Sequence, residues 1–130
     1  MYVGDSITDV DAFRLVREKG GLAVSFNGNE YAIKNAEIAL LSENAIVTAI
    51  VADVFLRLGK DQVLHLVEGW SREKLKQSEA NAALLTSFFD MYPEVLPKAK
   101  IITSKNKEIL TKESREFRKK VRGEAIGRLG

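Results

Sequence analysis

Apolar residues in this chain come in short runs, separated by stretches in which they recur at helical spacing. Met1-Tyr2-Val3 is a brief apolar strand closed by Gly4-Asp5. Val10, Phe13 and Val16 come next with Arg14 and Arg17 between them, which predicts an amphipathic helix to about residue 19. Thr8 is its expected N-cap, with Asp11 three residues on in the capping-box position, and Gly20-Gly21 ends it. Residues 22–26 are mostly apolar, as in a buried parallel strand. Asn27-Gly28-Asn29 reads as a turn, residues 30–36 as a short helix and residues 38–41 as a third strand. Ser42 or Asn44 then caps a longer helix whose apolar face is Ile46, Ala49, Ile50, Val54 and Leu58. Strand and helix alternating at such short intervals predict the α/β class, with a partial Rossmann-like parallel sheet.

After Gly59 the pattern becomes helical. Val63, Leu66 and Val67 predict a helix to about Trp70. Ser71 or Ser78 starts another, carrying Leu75, Ala82, Leu85, Phe88 and Phe89. Pro93 and Pro97 break the chain, residues 99–103 read as an isolated strand, and Thr111 caps a last basic helix with Phe117 and Val121. The expected organisation is an α/β half-domain over residues 1–59 and a helical region over 60–130, with a basic C-terminal tail, packed on it. Trp70, Phe88, Phe89 and Tyr92 sit at spacings that suit a helical core better than a ligand cage. No internal repeat is visible.

Composition narrows the classes. At 130 residues and 45% apolar content the chain can bury one core. No apolar run approaches the roughly 20 residues of a membrane span, so the expectation is no membrane partner and a cytoplasmic location. With no cysteine, disulfides, thiolate metal sites and thiol nucleophiles are excluded. The net charge of +2 hides an asymmetry: residues 1–97 carry 9 Lys/Arg against 14 Asp/Glu, and residues 98–130 carry 11 against 4. The basic stretch has Glu108, Glu113 and Glu116 interleaved and no nucleic-acid motif, so a solvated face or docking on the acidic body is expected, not nucleic acid. His65, the single histidine, lies between Leu64 and Leu66 with no acid beside it and reads as an ordinary helix residue.

The candidate chemistry lies in Gly4-Asp5-Ser6-Ile7-Thr8-Asp9. Asp5 leaves the carboxyl end of a strand, where ligands of open parallel sheets bind, and Asp9 falls in the first helical turn. Two carboxylates there repel each other unless a hard cation neutralises them, and Mg²⁺ binds through one or two carboxylates while keeping several waters. The same pair also suits plain helix capping. Asn27, after the second strand, can reach such a site, and turn chemistry explains it equally well.

This segment resembles the fourth motif, GDxxxD, of the haloacid dehalogenase superfamily. The likeness continues downstream, in the helix, Gly20-Gly21, the strand at 22–26, the Asn27-Gly28-Asn29 turn and Ala36-Glu37-Ile38-Ala39. It covers roughly residues 1–55, and is to that family's phosphatases, an archaeal branch among them. It implies that Asp5 ligates Mg²⁺, that Asp9 orients or assists in the ligand shell, and that Ser6 and Asn27 stand near phosphate or behind the ligands. The family's nucleophile motif, DxDx(T/V), and its Ser/Thr and Lys motifs lie upstream of the fourth, and this chain begins at the fourth. Asp9-Val10-Asp11 imitates the first motif but opens a helix instead of ending a strand. Two expectations arise. One is a phosphohydrolase fragment that keeps the metal acids, lacks the nucleophile and does not catalyse alone. The alternative is a non-catalytic α/β partner or subunit module. In either case the strand at Tyr2-Val3 has lost its neighbour. A homo-oligomer or a missing N-terminal half would cover the edge, and residues 99–103 folding back as a substitute strand is the rival.

Overall fold

The path of the chain around the sheet explains where the candidate loop ends up. In the computed structural model, which describes residues 1–129 with side chains through residue 123, β1 (Tyr2–Gly4) leads through a 3₁₀ turn (Ile7–Asp9) into α1 (Val10–Glu18). Next come β2 (Ala23–Phe26), α2 (Glu30–Asn35), β3 (Ile38–Leu41) and α3 (Ile46–Leu58). The chain goes on through α4 (Lys60–Glu68), α5 (Arg72–Gln77), α6 (Ala82–Met91), β4 (Lys98–Ile101) and α7 (Lys107–Leu129). The sheet has the order β1-β2-β3-β4. The first three strands are parallel, with Val3 opposite Val24 and Ser25 opposite Ala39. The chain is thus an α/β protein, as its strand–helix alternation predicts.

The second half departs from the expectation in one decisive way. Residues 98–101 are not an isolated strand and do not stand in beside β1. β4 pairs antiparallel with β3 at the opposite edge, Ala99 facing Leu40 and Ile101 facing Ile38. The cause lies in where α6 releases the chain. The Tyr92 hydroxyl lies 2.9 Å from Ser42 Oγ, just past the carboxyl end of β3. A strand starting there must run back antiparallel. Trp70 Nε1 donates to the Pro97 carbonyl at 3.0 Å and fixes the entry. Among the described residues, nothing pairs with the outer edge of β1.

Capping also differs in detail. The first box closes between Ser6 and Asp9, two residues earlier than a cap at Thr8, and α1 starts at Val10. One expected helix after Trp70 divides into α5, capped by Ser71 on the Lys74 N–H, and α6, capped by Asn81 on the Leu84 N–H. Thr111 lies inside α7. The helix is started by Thr103 and Asn106, each side chain accepting from the other's backbone N–H.

Side-chain size sorts the two faces of the sheet. Strand residues alternate in direction, so Leu22, Val24, Ile38 and Leu40 point one way, into a core closed by Val47, Ile50, Val51, Val54, Val63, Leu66 and Phe88 of α3, α4 and α6. Ala23 and Ala39 belong to the other face, where Phe13, Ala32 and Ala36 pack in one cluster and Ile33 and Leu110 in another. Small residues there let α2 and α7 approach closely. Leu110, 3% exposed, joins α7 to that face. The core on the large-residue face takes in residues on both sides of Gly59, from Leu22 to Ala99.

Candidate functional site

The segment after β1 turns at the carboxyl end of the parallel strands, and Asp9 holds it. Asp9 Oδ1 accepts from the Tyr2 hydroxyl at 2.6 Å, and Oδ2 accepts from the backbone N–H of Asp5 at 2.8 Å and of Ser6 at 3.1 Å. Charge-assisted bonds of this kind favour the ionised carboxylate. The Tyr2 hydroxyl, followed by the Asp5 N–H, holds the Asp9 carboxyl below the ordinary carboxylate range. In return Asp9 pushes the Tyr2 phenol upward. Gly4 is required by this arrangement. A Cβ at that position would fall 2.6 Å from Asp9 Oδ2 and 2.7 Å from Asp9 Cβ.

Asp5 is different. Its side chain is exposed and takes part in no hydrogen bond or ion pair among the described residues. Its carbonyl is the hub: it accepts from the Asn29 N–H at 2.8 Å and from Arg118 Nη1 at 3.4 Å. The β1 loop, the β2–α2 loop and α7 therefore meet at one atom, with the Asp5 carboxylate projecting beside it. Ser6 Oγ lies 3.0 Å from Thr8 Oγ1 and 3.5 Å from Asp9 Oδ2, so it stays within the loop. The Asn27 amide is committed elsewhere. It donates to the Ser42 carbonyl at 2.8 Å and accepts from the Ser42 N–H at 2.9 Å, tying the ends of β2 and β3 together. The backbone at Asn27 is left-handed, with φ of 50°, a conformation that asparagine tolerates better than most residues.

α7 is locked against this end of the sheet. The buried Ser114 hydroxyl donates to the Gly28 carbonyl. Gly28 itself is needed for the tight passage from β2 to α2, since a Cβ there would overlap Ser25 Oγ and fall 2.7 Å from the Ala32 Cβ. Tyr2, Arg118 and Ser114 were not legible as site residues in the sequence. Tyr2 reads as strand filler, and Arg118 lies 113 positions from the carbonyl it reaches. His65 is exposed on α4 with its Nε2 2.9 Å from Lys74 Nζ, and takes no part in the loop.

The donor set fits a hard cation only in part. Asp5 offers a free carboxylate at a strand end, whereas both oxygens of Asp9 already accept hydrogen bonds, Oδ1 from Tyr2 and Oδ2 from the loop backbone. No three His, Cys, Asp or Glu side chains converge on a metal-sized space among the described residues. An ion held here would be bound through Asp5 with water completing the shell, the habit of Mg²⁺. Asp9 would act through the backbone it fixes.

No helix among the described residues is long and apolar enough to cross a membrane. No family model matches the chain, and no curated protein does. Among solved structures it is similar to a gene product of Archaeoglobus fulgidus, with 27% identity and a TM-score of 0.69 over 95% of this chain. The chain spans 32% of that protein's length, so the likeness takes in nearly this whole fold and only a third of the other molecule.

Proposed function

We propose that this chain is the metal-binding part of a haloacid-dehalogenase-type phosphohydrolase, completed by a nucleophile-bearing segment outside residues 1–130. The observation that carries this reading is the Gly4–Asp9 loop. It leaves a parallel strand at its carboxyl end, presents Asp5 to solvent and uses Asp9 as its internal clamp. In such an enzyme Mg²⁺ neutralises charge on the phosphoryl oxygens. Asp5 would hold the ion. Asp9, Tyr2 and Gly4 would keep the Asp5 backbone in one place. The acid at the start of α1, Asp11, opens a helix instead of ending a strand, and so is not suited to the nucleophile's role.

The unpaired outer edge of β1 supports completion by another segment or chain, since a row of free N–H and C=O groups is a template for a further strand. The non-catalytic alternative, an α/β partner module, uses the same edge. Mn²⁺ water-proton relaxation separates the two. Weak enhancement that disappears in Asp5→Asn, with no turnover of p-nitrophenyl phosphate by residues 1–130, is the expected result. Enhancement indifferent to Asp5→Asn removes the metal role and leaves the partner module.

A further inference from the structure

Beside the Asp5 loop, α2 and α7 enclose a cleft of about 260 Å³ lined by Asn29, Glu30, Thr111, Arg115, Arg118, Lys119 and Arg122. Four of its side chains are cations and one is an acid. That acid, Glu30, has Lys34 Nζ 3.9 Å away. None of the four cations forms an ion pair with another described residue. Thr111, Arg115, Arg118 and Arg122 recur at intervals of four, three and four residues, which puts them on one face of α7. Arg115 and Lys119, and likewise Arg118 and Arg122, are like charges one helical turn apart. Such pairs destabilise a helix, and this helix has acids available elsewhere: Glu113 pairs with Lys98.

We infer that this cleft binds a phosphate group of a small phosphorylated substrate, distal to the group presented to Asp5. The inference rests on the phosphohydrolase reading for the second half of that statement, and on the cleft alone for the first. Three of the four cations are arginines, whose planar fork suits two oxygens of one phosphate. The volume is below the roughly 300–1,000 Å³ of a site that swallows a whole ligand, and matches a pocket for one charged handle. Arg118 touches both places: it lines the cleft, and its Nη1 donates to the Asp5 carbonyl. A ligand phosphate engaging Arg118 is thereby one side chain away from the Asp5 backbone. The helix that lines the cleft is anchored, because its Leu110 and Ser114 are buried against β3 and Gly28. Its lining includes no aromatic ring on which a base could stack, which argues against single-stranded nucleic acid.

The test is calorimetric titration of metal-free chain with inorganic pyrophosphate at fixed ionic strength. Saturable binding is expected, weakened roughly tenfold by Arg115→Gln and again by Arg122→Gln, each variant removing a charge-assisted contact. Both residues are exposed, so both variants should unfold like the parent. Absence of binding, binding unaffected by the two arginine variants, or a short RNA binding more tightly through the same arginines would each overturn the proposal. If pyrophosphate binds as expected while Mn²⁺ ignores Asp5, the anion site stands and the phosphohydrolase reading falls. The converse sinks the anion site alone.

Discussion

The Tyr2 hydroxyl donates to Asp9 Oδ1 at 2.6 Å, joining the first residue of β1 to the last residue of the turn after it. The bond has a sign. Asp9 is held below the ordinary carboxylate range, so its contribution to stability is present above about pH 4 and is lost as pH falls through its lowered value. Tyr2 is pushed above its ordinary value, so its contribution is full below about pH 10 and is lost as pH rises through the raised one. Urea unfolding across pH should therefore show a plateau that falls off on both sides. Tyr2→Phe should remove the Tyr2 share of the alkaline limb and part of the acid limb. An acid limb identical in Tyr2→Phe and parent would show that Asp9 draws nothing from the phenol.

Gly4→Ala tests the clamp sterically. The added methyl meets the Asp9 side chain, and overpacking of this kind costs about 1–3 kcal/mol. The same substitution in an Asp9→Gly background should cost markedly less, because the obstructing side chain is gone, its Cβ included. Strictly additive effects in the double-mutant cycle would mean that Gly4 is needed for some other reason.

The hold of α7 on the sheet makes a third case. Ser114→Ala leaves the buried Gly28 carbonyl without its partner and should cost about 1–3 kcal/mol. Leu110→Ala removes the buried apolar anchor of the helix and should cost about 2–5 kcal/mol. Hydrogen exchange should show protection lost first in α7 and α2 in both variants, with β2 and β3 unchanged. Uniform loss across the sheet would mean that α7 does not open as a separate unit.

The free edge of β1 gives the fourth. Tyr2 donates its N–H inward to the Leu22 carbonyl at 2.9 Å, so by the alternation of a strand the N–H of Val3 faces outward. Light scattering at micromolar concentration in moderate salt should report a mass above that of one chain. Val3→Pro removes the outward donor without breaking a ladder bond and should shift the mass toward the monomer. A cooperative, stable monomer at every concentration would defeat edge pairing.

The local elements of the first half were legible in the sequence. Residues 22–26 and 38–41 are short apolar runs bounded by turn residues, and the spacing of Ile46, Ile50 and Val54 is helical, so strand and helix followed from period alone. The sequence offered Asp5 as a candidate ligand because it leaves the carboxyl end of a strand, and the fold leaves that side chain exposed there. What periodicity could not supply was pairing. Residues 98–101 read as a strand, but their place beside β3 and their direction depend on where α6 ends, through Tyr92 and Ser42, some 50 positions apart. The same holds for the roles of Asn27 and Asp9, which a one-dimensional reading sees only as polar residues near a strand end. Asn27 is spent on Ser42, and Asp9 on Tyr2 and the loop backbone. Arg118 reaches Asp5 only because Ser114 and Leu110 dock α7 on the small-residue face of the sheet. Secondary structure is set by neighbours a few residues away, which the sequence displays; partnership between a basic helix and an acidic loop is set by core packing, which exists only once the chain has folded.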